Sequence, residues 1–278
     1  MTSYPQLGFG TSKLASFSSL LSRSEGIAIL RAAIQNGISY IDTANVYGQG
    51  RAESWLGHCL RLERPKSLRI ATKAGLATTI KASTAALIHP LLRIVLLSRR
   101  TKPTQGESRP PPNSEGGMIS GRASNYRPEA LSRALSKSLR RLGVDSVDDF
   151  FLHEPPLEVF DEDLRLFLKH LLACGLTARV GVCSNDPHVV ALAHQFDPVS
   201  VIQTNIRVLD YQIPASERRI SYVVNHVLSS PLQSEPDLGE SPVLNRLKAA
   251  LSDERFEVVL FGATKMAHLL EATSLVQR

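Results

Sequence analysis

The chain has 278 residues, of which 43% are hydrophobic and 21% charged, and a net charge of +6. That is enough apolar material for one large domain, and α/β barrels of roughly 250 residues fold as single units. Mean hydropathy is near zero, and no apolar run reaches the ~18–20 residues of a membrane span, so a membrane partner is not expected.

Between Arg93 and Arg127 stand seven Lys or Arg and two acids, Glu107 and Glu115. The rest of the chain is nearly balanced, so the composition is not that of a nucleic-acid binder. The basic segment reads as a solvated surface feature rather than a binding arm. Met1–Leu14 lacks a basic stretch followed by an apolar one, so no secretory leader is expected. Cys59, Cys174 and Cys183 show no CxxC spacing. This argues against a disulfide scaffold or a zinc site and for a reducing cytoplasm.

In chain order, the expected strands are Leu7–Gly10, Tyr40–Asp42, Leu68–Lys73, Val147–His153, Val180–Ser184, Val201–Thr204, Ile220–Val224 and Val258–Gly262. Helical patterns lie between them. Ser24–Gln35 opens on a cap-like Ser24 and carries Ile27, Leu30 and Ile34 on one face. Pro128–Leu142 begins with proline and aligns Leu131, Leu135, Leu139 and Leu142. Asp161–Cys174 and Pro187–Phe196 follow the same pattern. Strands alternating with helices imply parallel strands joined by crossovers. Eight of them in one α/β domain spanning 1–278 fit a (β/α)8 barrel. An open doubly wound sheet would favour a GxGxxG turn after the first strand, and none is present. One stretch breaks the rhythm. Thr101–Asn125, after the third strand, is rich in Pro, Gly and Ser and is expected to be a long flexible loop, either a substrate lid or an inert insertion. The stretch Ser229–Ser252 reads as short and Ser/Pro-rich, without a full helical arrangement.

Four ionisable side chains fall at or just beyond consecutive strand ends: Asp42, Tyr47, Lys73 and His153. In a barrel these ends converge on the catalytic rim. A buried Lys near a Tyr hydroxyl favours the phenolate and draws the Tyr pKa down from ~10. An Asp beside the Lys balances its charge, and a His opposite can orient a carbonyl. The set suits donation of a proton to a carbonyl oxygen as a hydride arrives at carbon. One His and one Asp are too few ligands for a metal, and no Ser or Cys nucleophile is paired with the His.

The segments Leu7–Thr11, Asp42–Gly48, Glu53–Gly57, Ala71–Ala74, Phe151–His153, Arg179–Val182 with the Ser-Asn that follows, and Gln203–Asn205 resemble those of the aldo-keto reductases, in order from about residue 6 to about residue 275. The resemblance implies a (β/α)8 barrel that binds NADPH, or NADH, in extended form and acts on a small-molecule carbonyl or the corresponding alcohol. It implies Tyr47 as general acid, Lys73 and Asp42 as its supporting pair, and His153 as the orienting group. It places Gly10, Thr11, Asp42, Ser184, Asn185 and Gln203 near the nicotinamide, and Gly262, Lys265 and Glu271 in the closing cofactor segment. Lys265, with His268 as a weaker contributor, replaces the Arg that often grips a 2′-phosphate. The expectation is therefore a modest preference for NADPH. Asn225-His226 stands where many members place an aromatic or Arg beside the nicotinamide, and Tyr222 lies within the strand. A cofactor-binding regulatory or assembly subunit on the same barrel is the alternative reading.

Overall fold

Eight parallel strands close on one another in sequence order: β1 (Gln6–Gly10), β2 (Tyr40–Asp42), β3 (Arg69–Ala74), β4 (Val147–His153), β5 (Thr177–Cys183), β6 (Val201–Asn205), β7 (Ser221–Asn225) and β8 (Phe256–Phe261). β1 pairs with both β2 and β8, which completes the barrel. The computed structural model describes residues 5–16, 19, 21–78, 124–209, 218–229 and 241–276. Most of the basic Arg93–Arg127 segment and of the expected loop 101–125 therefore lies outside the described residues. The last two residues of that loop are tied down: Ser124 bridges Leu76, and the Asn125 N–H donates to the Gly75 carbonyl at 2.8 Å.

The described helices are α1 (Ser12–Ala15), α2 (Arg23–Gln35), α3 (Arg51–Leu62), α4 (Pro128–Leu142), α5 (Glu162–Ala173), α6 (Pro187–Gln195), α7 (Ile206–Leu209), α8 (Pro242–Leu251) and α9 (Met266–Thr273). None is long and apolar enough to cross a membrane. The cap of α2 is Ser22, not the expected Ser24. Glu25 stands three residues after Ser22, and the two form a reciprocal capping box that Ser24 cannot make. α8 corrects the expectation for Ser229–Ser252. Pro242 opens it, and Leu247 and Ala250 are buried against the barrel. β5 begins three residues earlier than expected and ends at Cys183.

The strands bury both faces. Outward side chains such as Phe9, Ile41, Ile70, Phe150, Val182 and Ile202 join the helices in the main core. Inside the barrel, Tyr40, Ala71, Phe151, Cys183, Val201, Val223, Val258 and Leu260 form a separate cluster. At the N-terminal end, polar side chains close the barrel. Asp149, fully buried, accepts from Tyr40 at 2.7 Å and from Arg179 Nε at 2.7 Å, while Arg69 and Arg179 both reach Glu257. Burial alone would raise the Glu257 carboxyl. The Arg179 and Ser221 hydrogen bonds, the Arg179 charge and Arg69 outweigh it and bring the pKa down to about 2. In barrels of this kind the functional groups gather at the opposite, C-terminal ends of the strands.

Candidate active site

The end of β2 is held between its neighbours. The Thr11 N–H donates to the Asp42 carbonyl at 2.9 Å, and the Thr43 N–H to the Ala71 carbonyl at 2.9 Å. This fixes Asp42 against Lys73 of β3. Lys73 Nζ lies 2.5 Å from Asp42 Oδ1 and donates also to the Thr43 carbonyl at 3.0 Å. The Lys73 side chain is 0% exposed and the Asp42 side chain 4%. Burial raises the Asp42 carboxyl, and the Lys73 ammonium and the Gln203 amide pull it back.

Tyr47 opens a 3-10 turn, Tyr47–Gly50. Gly48, Gln49 and Gly50 have φ of 57°, 59° and 88°, a left-handed run that only glycine adopts freely. Glycine at 48 is doubly required, because a Cβ there would strike the Ala15 carbonyl. The turn carries Tyr47 over the strand ends. Its ring centre is 5.0 Å from Lys73 Nζ and 5.8 Å from the His153 ring, which meets it edge-on at 90°. Asp42, Tyr47, Lys73 and His153 are therefore brought together at one rim, as their strand-end positions in the sequence suggest.

The helix after the turn is anchored by the Glu53–Gly57 segment. Glu53 is fully buried and accepts from Thr72 Oγ1 at 2.7 Å and Arg141 Nε at 2.6 Å, joining α3 to β3 and α4. Trp55 packs on Gly26 of α2, and Gly57 lets the backbone of α3 approach the Arg141 carbonyl. These residues hold the Tyr47 loop in place and touch no reacting group.

Gln203, in the middle of β6, contributes a hydrogen bond to Asp42, and its Oε1 is buried with no partner among the described residues. Thr11 Oγ1, Thr43 Oγ1, Asn45 Oδ1 and Asn225 Oδ1 are in the same condition. Buried polar atoms are almost always satisfied, so a group of them at one rim marks a place for a polar ligand. Ser184, buried, follows the end of β5. Its hydroxyl donates to Glu154 Oε2 at 3.2 Å and accepts from the Asp186 N–H at 3.1 Å. Asn185 is exposed and spends its Oδ1 on the Asn205 N–H at 2.9 Å, which leaves its Nδ2 to donate. An acceptor on Gln203 and a donor on Asn185 match the two halves of a primary carboxamide such as that of nicotinamide.

Gly10 and Gly262 face each other at the ends of β1 and β8; a Cβ on Gly262 would lie 3.2 Å from the Gly10 carbonyl. Lys265 is exposed and caps α9 without a side-chain bond to it, so the first N–H groups of that helix are open to an anion. Glu271 lies further along α9, half-buried, away from that end. Tyr222 does not reach the rim. It points outward to α6, where its hydroxyl meets His194 Nε2 at 2.6 Å, because Val223 takes the inward position of β7.

Two rim residues carried no signal in the sequence reading. Tyr126 donates its hydroxyl to the His153 and Glu154 carbonyls, at 2.7 and 2.8 Å. Glu154 follows His153 with φ of 52°. A groove of about 1120 Å³ runs between the start of α4 and α5; Tyr126 lines it, while Asp42, Tyr47, Lys73 and His153 do not. Among the described residues no group of three or more His, Cys, Asp or Glu could hold a metal ion.

A sequence model of the aldo/keto reductase family matches residues 6–226. The chain is 31% identical over 150 residues to a pyridoxal 4-dehydrogenase from Microbacterium luteolum, covering 53% of this chain and 39% of the relative. It spans about half the length of the curated relatives it matches. Among solved structures, an aldo-keto reductase from Bacillus halodurans in its holo form superposes with a TM-score of 0.69 at 18% identity, over 98% of this chain and 87% of that one. An aldo/keto reductase from Klebsiella pneumoniae in complex with NADP and acetate superposes with a TM-score of 0.62 at 18% identity, over 99% and 87%. At these identities the structural likeness establishes the barrel.

Proposed function

Because the chain belongs to the aldo/keto reductase family, we propose that its C-terminal rim carries out the reversible reduction of a small aldehyde or ketone with a nicotinamide cofactor. The observation that supports this best is the enclosed Lys73–Asp42 pair beneath Tyr47, with His153 at the edge of the same ring.

The bound cofactor would supply a hydride to the carbonyl carbon. The protein supplies the rest. His153 hydrogen-bonds the carbonyl oxygen and holds it toward the Tyr47 hydroxyl. Tyr47 gives up its proton to that oxygen as negative charge builds there. The Lys73 ammonium stabilises the phenolate left behind, and Asp42 keeps that ammonium charged and in place. In the reverse direction the same phenolate accepts the alcohol proton.

Gln203 Oε1 and Asn185 Nδ2 would hold the carboxamide, with Ser184, Gly10 and Thr11 along the same edge. The open N–H groups of α9 would take a phosphate, aided by Lys265, and this favours NADPH over NADH. Glu271 would lie beside the adenine end of the cofactor. An aldo/keto reductase of the same barrel is solved with NADP, and a sequence relative is named a dehydrogenase, which supports a nicotinamide cofactor in general. The test is a fluorescence titration of NADPH and NADH against the protein, followed by turnover on a panel of aldehydes and ketones. Binding with turnover supports the reading. Binding without turnover on any carbonyl would point to the regulatory alternative, and no binding of either cofactor would remove the reading altogether.

A further inference from the structure

We propose that the Glu154 carboxylate biases this rim toward the oxidised, cationic form of the nicotinamide cofactor over the reduced, neutral form. The inference rests on the reading above.

Glu154 immediately follows His153, and its side chain lies against Ser184 and the backbone of Asn185, on the Asn185 side of the proposed carboxamide site. Its carboxyl takes the Ser184 hydroxyl at 3.2 Å and the Asn185 N–H. Among the described residues it makes no ion pair; the charge that acts on it is Asp186, of the same sign. A half-buried carboxylate without a cation is costly, and a positive ring arriving on the Ser184–Asn185 side offsets that cost. The reduced ring, without charge, does not. The difference is a direct preference between the two oxidation states, expressed through a medium less polar than water.

The backbone supplies an independent observation. Glu154 has φ of 52°, a conformation that is strained for a side-chain-bearing residue and that glycine adopts freely. The surroundings enforce it. The Glu154 N–H donates to the Cys183 carbonyl at 2.7 Å, and Tyr126 clamps the His153 and Glu154 carbonyls together. A strained glutamate held at this spot, with its carboxyl beside Ser184 and Asn185, indicates that the carboxyl itself has a use. Burial, only partly opposed by the Ser184 and Asn185 hydrogen bonds, raises its pKa, as expected of a carboxylate that lacks a counter-charge.

The experiment is equilibrium binding of NADP+ and of NADPH to the wild-type chain, Glu154→Gln and Glu154→Gly. Gln keeps the shape and an acceptor for Ser184. Gly suits the left-handed backbone and guards against a folding defect, which thermal melting of all three proteins reports. The expected result is a rise of about fivefold or more in Kd for NADP+ in both variants, with the Kd for NADPH nearly constant. Equal weakening of both forms would show that Glu154 only shapes the loop and would overturn the proposal, as would no change in either. Absence of binding by the wild type would instead strike the cofactor reading beneath it.

Discussion

Lys73 and Asp42 meet at 2.5 Å with both side chains closed off from solvent, and the Tyr47 ring lies 5.0 Å above the ammonium. A buried pair of this kind stabilises little in itself, but removing one partner strands the other charge. Lys73→Met should lower stability by about 3–5 kcal/mol and should also cut carbonyl turnover by at least ~10²-fold. Urea unfolding and steady-state kinetics measure the two. A Lys73→Met protein of wild-type stability would mean that the pair is not enclosed as described.

The anchor of the Tyr47 loop makes a second prediction. Gly57 lets α3 contact the backbone of α4 at Arg141, where a methyl group would strike the carbonyl. A backbone carbonyl cannot swing away as a side chain can. Gly57→Ala should therefore destabilise the fold by about 1–3 kcal/mol through overpacking, despite the better helix propensity of Ala. Thermal melting decides it: a melting temperature at or above wild type would contradict the close approach.

The N-terminal end of the barrel predicts a pH dependence. Glu257 is held at about 2 in the folded chain, against ~4.3 for an unperturbed glutamate. Its folded pKa is depressed, so its contribution to stability is full above ~4.3 and is lost as pH falls through about 2. Glu257→Gln should be less stable than wild type at neutral pH, and the gap should narrow between those two values. A gap that stays constant across that window would show that the folded chain does not hold Glu257 below its ordinary pKa.

The barrel was legible because its strands and helices alternate in hydrophobic pattern, and β2 and β4 match the expected limits to the residue. β5 was read three residues short because Thr177-Ala178-Arg179 carries little apolar signal. Arg179 is there to reach Asp149 and Glu257 across the barrel, a long-range reason that no local pattern encodes. α8 was obscured by the Ser/Pro-rich composition before it. At the rim, Asp42, Tyr47, Lys73 and His153 could be found because each sits at or just beyond a strand end, where position alone is informative. Glu154 was not found, because nothing in the letters His-Glu-Pro-Pro announces a left-handed glutamate. The Glu53–Gly57 segment stood out as a motif, and its roles proved to be packing and anchoring.

On the proposed cofactor reading, the preference between NADPH and NADH depends on Lys265. Lys265 is exposed at the start of α9, where it can add a charge-assisted bond to a 2′-phosphate already drawn by the helix terminus. Wild type should bind NADPH modestly better than NADH, and Lys265→Ala should lose most of that difference while its affinity for NADH hardly changes. Equal affinities in wild type would defeat the assignment of Lys265.

The most direct test of the account is Tyr47→Phe. The substitution removes one oxygen, leaves the ring on Lys73 and His153, and touches no residue assigned to the cofactor. Turnover of the best aldehyde or ketone substrate and NADPH affinity should be measured on the same preparation. The account predicts a fall in turnover of ~10²–10⁴-fold with NADPH binding nearly unchanged. Turnover within a factor of a few of wild type would show that Tyr47 is not the acid.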